Sequence, residues 1–319
     1  MPAISRYAYG KAILLGEHAV VHAQPAVAIP LFSKHVKVSV EPQILAPTGK
    51  IRVISPVLDL DQDLDSLPEN HPIFQSVQLT LAELKVLHNP SCKLHISSTL
   101  PLSSGLGSSA ALAVATSRAL SEFLGHPLDP EAVNRIAFQC ETHVHGKPSG
   151  IDNTVITYEK PILFQKGKEV EFLEPGCIFT FVLADSGVRK STWMTVANLA
   201  KELQDNPARI QPMLEEIGQL ALQGKNALVD GNLANLAKAI KCNQEILQTL
   251  ELSCPELDHL IKKAIEAGAL AAKLTGGGKG GHMLALVDND SLESVLATLQ
   301  EASGGKAFLT ILKPEEILK

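Results

Sequence analysis

The chain has 319 residues, of which 45% are hydrophobic and 19% are charged, a composition typical of a folded protein with a substantial core. Its 34 acidic residues outnumber its 28 basic ones, so the formal net charge is −6, and no segment carries the basic stripe that nucleic-acid binding requires. No apolar stretch approaches the roughly 20 residues of a membrane span, and the first ten residues lack the features of a secretion signal, so we expect a cytoplasmic protein that binds neither nucleic acid nor membrane.

Strands are predicted for most of the first hundred residues. Residues 12–15 form a short apolar run, and apolar residues alternate with polar ones over 36–40, 51–54 and 94–96. The segment 59–72 is rich in Asp, Pro and Asn, which predicts a surface excursion, and helical spacing predicts a helix over 73–87.

Two helices are predicted next. Apolar residues from Leu112 to Phe123 lie on one helical face, and Gly125 is placed to end that helix. A second helix begins after Asp129, an acidic cap followed by proline, and runs to about His145.

The second half of the chain opens with an eight-residue apolar run at 177–184, typical of a buried strand, after a hairpin or linker at 166–168. Helices are predicted over 195–203, 213–224, 233–250, 255–267 and 292–302, and strands over 283–287 and 308–312. We expect an α+β protein of two lobes with a cleft between them, divided into residues 1–170 and 171–319.

The five cysteines are scattered, and no two are separated by only two residues. That spacing suits neither a disulfide framework nor a structural zinc site. We therefore expect reduced, mostly buried thiols.

A glycine- and serine-rich loop at 105–110, GLGSSA, precedes an alanine-rich helix. Glycines let the backbone approach a ligand closely, and the start of a helix offers unpaired N–H groups with a partial positive charge. The loop lacks the lysine of a Walker A loop, and Ala110 stands where a dinucleotide-binding turn has its third glycine. It predicts a phosphate cradle, with a tight strand-to-helix turn as the alternative.

A second glycine-rich segment, TGGGKGG at 275–281, leads into a predicted strand. Glycines are entropically costly to order, and a plain turn needs only one or two of them. We therefore expect this segment to have a function.

Charged residues near these segments are candidates for chemistry. Lys11 comes just before an apolar run, and Glu17 and His18 follow it; Glu141 lies late in a predicted helix, and Asp152 follows a rigid turn. Each has a structural alternative, because a strand-end lysine or a helix glutamate is usually solvated and an aspartate often forms a turn.

Four motifs in this order resemble those of the GHMP kinase family. They are KAILLGEHAVVH at 11–22, PLSSGLGSSAA at 101–111, AFQCETHVHGKPSGIDN at 137–153 and KLTGGGKGG at 273–281. Within the family, the first motif is most similar to the branch that phosphorylates mevalonate. The resemblance implies a two-lobed GHMP kinase fold, with an N-terminal lobe like domain 2 of ribosomal protein S5 and a ferredoxin-like C-terminal lobe.

The resemblance also implies a reaction and roles for individual residues. ATP would phosphorylate the primary hydroxyl of mevalonate with Mg²⁺ as cofactor, in a homodimer; Asp152 and Lys11 would be catalytic, and Ser109 and Glu141 would hold the metal. The nucleotide-binding residues would be Pro101, Ser103, Ser104, Gly105, Leu106, Gly107, Ser108, Ser109, Ala110, Gly276, Gly277 and Gly278. The substrate-binding residues would be Lys11, Glu17, His18, Ile151, Asp152, Lys190 and Thr192.

The segment ADSGVRKST at 184–192 falls where the family carries a basic residue and a threonine that contact the substrate. Lys190 and Thr192 match those two positions. Arg189 is an alternative partner for a substrate carboxylate, because guanidinium groups bind carboxylates well.

The glycine-rich segment at 275–281 departs from the family pattern, which usually reads Gly-Ala followed by four glycines. Here Gly277 replaces the alanine and Lys279 interrupts the run. If position 279 requires a positive φ, lysine is strained there; if it does not, the ammonium group can sit near the phosphates.

Three alternatives remain open from the sequence. The chain could be another small-alcohol kinase of the same fold, acting on a sugar or on phosphomevalonate. It could be a diphosphomevalonate decarboxylase, against which the form of the segment around Asp152 counts. It could also be a non-catalytic ligand sensor, which has no need to keep Lys11, Ser109, Glu141 and Asp152 together.

Overall fold

The computed structural model describes residues 2–44, 47–101, 105–145, 148–190 and 192–314, except for the side chains of residues 144, 145 and 192. Contacts within the chain define two compact units, and each is described by itself. Unit 1 contains Met1–Lys11, Lys34–Leu102 and Gly107–Glu159, and unit 2 contains Ala12–Ser33, Ser103–Leu106 and Lys160–Lys319. The units interleave along the sequence, so the division at residue 170 stays a prediction.

Unit 1 combines a sheet with four helices among its described residues. Its elements are β1 (Ile4–Leu15), β2 (Ala26–Pro42), β3 (Ile51–Ser55), β4 (Leu60–Asp63), α1 (Pro72–Glu83), β5 (Cys92–Ser98), α2 (Ser108–Phe123), α3 (Pro130–His145) and α4 (Ile151–Tyr158). The first two strands also contribute residues to unit 2.

The sheet of unit 1 has the strand order β4-β3-β5-β2, and β1 pairs with β2. β3 and β5 are parallel, whereas β2 and β5 are antiparallel with Val38 opposite Ile96. Val36, Val38 and Val40 are buried on one face of β2, which confirms the alternation predicted for this segment.

The predicted ends of α2 and α3 are confirmed. Gly125 follows α2 with a left-handed φ of 81°, as expected of a residue that ends a helix. At the start of α3 the side chain of Asp129 accepts a hydrogen bond from the N–H of Ala132 at 2.8 Å, and Pro130 is the first helical residue. α2 packs against α1, α3 and α4.

Two helices of unit 1 differ from what the sequence predicted. α1 ends at Glu83 rather than near Leu87, because Lys85 adopts a left-handed φ of 55° and turns the chain away. The segment 59–72 is mostly exposed or half-buried, as predicted for a surface excursion, and it also contains β4 and a short 3-10 helix, Leu64–Ser66. α4 follows the turn at 148–150, where no helix was expected.

Unit 2 contains the remaining elements. They are β6 (Ile162–Phe164), β7 (Glu171–Phe172), β8 (Phe179–Asp185), α5 (Thr192–Asp205), α6 (Pro207–Val229), α7 (Leu233–Thr249), α8 (Pro255–Glu266), β9 (Ala271–Thr275), β10 (His282–Val287), α9 (Leu292–Ala302) and β11 (Ala307–Leu312). β6 and β7 pair antiparallel around residues 166–168, so the hairpin interpretation of that segment is confirmed.

Four antiparallel strands form the second sheet, in the order β11-β8-β10-β9. Side chains of α6 to α9 join this sheet in one hydrophobic core. Every residue of β8, β9 and β10 is buried, including Lys273 in β9. The sequence AAKLT of β9 is short and contains a lysine, so its pattern did not predict a strand.

α6 extends beyond its predicted range of 213–224 at both ends, with Pro212 inside its second turn. No helix in the described ranges is long and apolar enough to cross a membrane.

All five cysteines are free thiols, but only Cys92 and Cys140 are buried, so the expectation of mostly buried thiols holds for two of them. Burial raises the pKa of each of these two to about 12.

Candidate active site

Lys11 and Asp152 form an ion pair in unit 1. Lys11 lies inside β1 rather than before a strand, because β1 begins seven residues earlier, at Ile4, and its side chain is only 6% exposed. Asp152 is the second residue of α4, where the helix dipole favours a negative charge, and its Oδ1 lies 3.2 Å from Nζ of Lys11. The Asp152 side chain is 30% exposed, so a ligand can reach its carboxylate.

Gly107 brings the backbone of the predicted phosphate cradle against this ion pair. It precedes the first residue of α2 and has a left-handed φ of 79°. A Cβ atom at this position would lie 2.7 Å from Cδ1 of Ile156, 3.2 Å from Cγ of Lys11 and 3.6 Å from Oδ2 of Asp152. The left-handed φ and these close distances favour glycine, and the unpaired N–H groups at the start of α2 are therefore held close to Lys11 and Asp152.

Ser109 and Glu141, the predicted Mg²⁺ ligands, are both in unit 1. The Ser109 Oγ is buried and has no hydrogen-bond partner among the residues that the structure describes, and Glu141 is 5% exposed on α3, which packs against α2. In the described part of the chain, no group of three or more His, Cys, Asp or Glu side chains is arranged to hold a metal ion. One hydroxyl and one carboxylate fit Mg²⁺, because this ion commonly takes few protein ligands and completes its shell with phosphates and water.

Some predicted contact residues have limited or no description in the structure. Ser103 and Ser104 lie outside the described residues. Thr192 is the first residue of α5, and its side chain is also outside the description. The Ile151 and Leu106 side chains are both 1% exposed, so each packs in the interior.

Glu17 is engaged by a lysine in unit 2. Its carboxylate forms an ion pair with Lys273 of β9, and both side chains are fully buried. Oε2 of Glu17 also accepts a hydrogen bond of 3.3 Å from Asn243, and Nζ of Lys273 donates one of 2.6 Å to the carbonyl of Leu274. Burial raises the pKa of Glu17 and lowers the pKa of Lys273, and the opposite charge of each partner counteracts this. The carboxylate predicted to line the substrate site therefore already has a full set of internal partners.

His18, the residue after Glu17, has one ring nitrogen, Nδ1, that can still accept a hydrogen bond. Nε2 lies 3.0 Å from the carbonyl oxygen of Gly277, which can only accept, so Nε2 carries the proton. Burial lowers the pKa of His18 to about 4, so the ring is neutral at pH 7. Nδ1 is then an acceptor, and it is buried without a hydrogen-bond partner in the described ranges.

Residues 276–281 of the second glycine-rich segment form the loop between β9 and β10, and this loop is tightly fixed. A Cβ atom at Gly278 would collide with the carbonyl oxygen of Leu252, and the N–H of Lys279 donates to that same oxygen at 2.8 Å. Lys279 has a φ of 56°, in the left-handed region that favours glycine. Lys279 therefore does adopt a positive φ, and the strain expected in that case is present.

Arg189 is held by Asp185 at the end of β8. Its two terminal nitrogens lie 2.7 and 2.6 Å from the two carboxylate oxygens. Burial alone would raise the pKa of Asp185, but hydrogen bonds from Arg189 and from the N–H of Gly187 lower it to about 2. Lys190 is exposed, and its side chain makes no ion pair within the described part of the chain. Of the two candidate cations, Lys190 is the one that has no counter-charge in the described ranges.

Sequence reasoning missed Lys273 and Asn243 as members of the site. Lys273 lies inside one of the four motifs, and a lysine among apolar residues was the signal available. What the sequence does not show is that Glu17, more than 250 positions away, is its partner.

Two family models match the chain. The one described as GHMP kinases N terminal domain matches residues 73–160, and the one described as GHMP kinases C terminal matches residues 225–304. The chain is 32% identical to mevalonate kinase of Pyrococcus furiosus over 97% of each chain, and 30% identical to mevalonate kinase of Archaeoglobus fulgidus over 92% of this chain and 96% of that one.

Solved structures show the same similarity. The crystal structure of L. major mevalonate kinase in complex with R-mevalonate has a TM-score of 0.83 and 29% identity, and it covers 97% of this chain and 96% of its own. Methanococcus jannaschii mevalonate kinase, at 24% identity and a TM-score of 0.82 over 98% of each chain, shares the fold. The predicted α+β GHMP kinase fold is confirmed.

Proposed function

Because the chain belongs to the GHMP kinase family, we propose that it transfers the γ-phosphoryl group of ATP to the primary hydroxyl of mevalonate, giving 5-phosphomevalonate and ADP. The observation that carries the proposal is the Lys11–Asp152 ion pair, against which Gly107 holds the start of α2. The names of the relatives support mevalonate as the acceptor, and the similar L. major structure is a complex with R-mevalonate.

Asp152 is proposed to orient the substrate hydroxyl and accept its proton. Its carboxylate is fixed by Lys11 on one side and remains partly exposed, as a base that meets a substrate must be. Lys11 is proposed to hold Asp152 in place and to stabilise negative charge on the attacking oxygen. Phosphoryl transfer depends chiefly on positioning and charge neutralisation, which suits a fixed and nearly buried ammonium group.

The phosphates of ATP are proposed to lie at the start of α2, where backbone N–H groups and the helix dipole favour anions. The proposed nucleotide contacts are Pro101, Ser103, Ser104, Gly105, Leu106, Gly107, Ser108, Ser109, Ala110, Gly276, Gly277 and Gly278. Ser109 and Glu141 would hold Mg²⁺, which when bound neutralises charge on the phosphates. The buried and unpartnered Oγ of Ser109 supports this assignment.

Mevalonate is proposed to bind to His18 and Lys190, and Ile151 and Thr192 are proposed to contact it as well. Nδ1 of His18 can accept a hydrogen bond from a hydroxyl group of the substrate, and Lys190 can pair with its carboxylate. Glu17 is proposed to support His18 without contacting mevalonate directly, because its carboxylate is already bonded to Lys273 and Asn243. The family resemblance further supports a homodimer, which analytical ultracentrifugation would test.

The test is an assay coupled to ADP release, with mevalonate, phosphomevalonate, galactose and homoserine as acceptors. We expect mevalonate to have the highest kcat/KM. A preference for any other acceptor would contradict the proposal, as would release of CO₂ from mevalonate diphosphate. Turnover with none of them would instead support a non-catalytic sensor.

A further inference from the structure

Lys279 occupies a backbone conformation that a glycine would adopt more easily. Lys279 has a φ of 56°, and its neighbours on both sides are glycines that also have positive φ values, 68° at Gly278 and 141° at Gly280. L-residues other than Asn and Asp rarely take this conformation, because Cβ crowds the backbone carbonyl oxygen. The loop cannot relax, since the N–H of Lys279 is bonded to Leu252 and that of Gly281 to Val188. A lysine held in this conformation costs stability.

The charge of Lys279 has no counter-charge among the residues that the structure describes. Its side chain is half-buried, and its ammonium group makes no ion pair or hydrogen bond with any residue in the described ranges. Lys273, six residues earlier, shows the contrasting case of a buried ammonium paired with Glu17. An unpaired, half-buried cation at a strained position points to an anion that arrives with a ligand.

The position of the loop indicates which anion this is. A Cβ atom at Gly276 would lie 3.7 Å from the carbonyl oxygen of Gly105, the first residue of the phosphate cradle at 105–110. That cradle contains no lysine or arginine, and neither does the stretch 101–111 around it. A compact ammonium group is a common partner for phosphate, and Lys279 is the basic residue in the loop that lies against Gly105 within unit 2.

We propose that Lys279 binds a phosphate group of ATP beside Gly105, in a stretch of sequence, 101–111, that contains no lysine or arginine of its own. This inference rests on the proposed function for the identity of the nucleotide. It predicts that stability and nucleotide affinity oppose each other at position 279, because glycine would relieve the strain and remove the charge together.

Two variants separate the effect of strain from the effect of charge: Lys279→Gly removes both the strain and the charge, whereas Lys279→Ala removes only the charge. The matched control is Lys85→Gly, which relieves the same kind of strain outside the loop. Lys85 is also a lysine with a left-handed φ, 55°, but it is exposed at the end of α1. Both glycine variants should raise the unfolding temperature by about 2 °C, since relief of one strained residue is a small gain in a chain of this size. Lys279→Ala keeps Cβ and should bring no such gain.

The deciding measurement is the dissociation constant of ATP, obtained by calorimetry without mevalonate. We expect a rise of about tenfold in both Lys279 variants and no change in Lys85→Gly. In the coupled assay, KM for ATP should rise while KM for mevalonate stays constant. An unchanged dissociation constant for ATP in both Lys279 variants would overturn the inference, and so would a rise confined to KM for mevalonate. Because calorimetry needs no turnover, its result stands even if mevalonate is not the acceptor.

Discussion

The buried ion pair between Glu17 and Lys273 predicts a large loss of stability when its negative charge is removed. Glu17→Gln keeps the length of the side chain and can keep the hydrogen bond from Asn243, so the main change is the loss of a counter-charge for Lys273. Both side chains are fully buried. Removing one partner of such a pair typically costs about 3–5 kcal/mol of unfolding free energy, because the other charge is left uncompensated.

The loss in Glu17→Gln should shrink as the pH rises. Burial lowers the pKa of Lys273 below the value of an unfolded lysine, and in the variant no carboxylate opposes that effect. Between the two pKa values the unfolded chain binds more protons than the folded chain. The stability of the variant therefore rises with pH, by up to about 1.4 kcal/mol per pH unit, until the pH passes the pKa of unfolded lysine.

Urea unfolding followed by circular dichroism at neutral and alkaline pH measures both effects. The control is Asp65→Asn, which removes the partner of Lys50 from an exposed ion pair and should cost less than about 1 kcal/mol. The double variant Glu17→Gln, Lys273→Met should recover most of the lost stability, because no unpaired charge remains. Equal losses for Glu17→Gln and Asp65→Asn, or a loss in Glu17→Gln that does not change with pH, would refute this reasoning.

Three further predictions follow from the site. Gly107→Ala should lower kcat by about 100-fold, because its Cβ would press on Ile156 and Lys11. Gly125→Ala, with a similar φ and open space around it at the end of α2, should keep most activity, and steady-state kinetics compares the two variants. The pKa of Asp185 is 3.8 in the unfolded chain and about 2 in the folded one, so the stability that Asp185 gains from Arg189 is complete above pH 3.8 and is lost as the pH falls through about 2. The unfolding free energies of the parent and of Asp185→Asn, measured against pH, should therefore converge near pH 2. KM for mevalonate should show no step near pH 6.5 from His18, whose pKa is about 4; such a step, absent in His18→Gln, would contradict the assignment.

Local signals in the sequence predicted much of the fold. The end of α2 and the start of α3 were predictable, because each is set by a single nearby residue: the left-handed Gly125 ends α2, and the Asp129 side chain caps the first turn of α3. α4 was missed because eight residues after a Pro-Ser-Gly turn carry too little periodic signal. The end of α1 was misplaced because the apolar spacing continues to Leu87, beyond the residue at which the backbone turns.

The candidate site was predictable at the level of motifs but not of partners. The motifs located Lys11 and Asp152, and the structure brings the two together within unit 1. The motifs also assigned Glu17 to the substrate, whereas its environment depends on β9, a strand that the pattern did not show. Burial of a charge is a property of the folded chain, and only tertiary structure reveals that Lys273 is its partner.

The most direct test of the account is the product formed from ATP and mevalonate, followed by phosphorus NMR, in the parent protein and in Asp152→Asn. We expect 5-phosphomevalonate to form in equal amount with ADP, and we expect the variant to be slower by about 100- to 10,000-fold while its circular dichroism is unchanged. A folded Asp152→Asn variant with parental kcat would contradict the role of the ion pair. ADP release without 5-phosphomevalonate in the parent protein would contradict the proposed reaction.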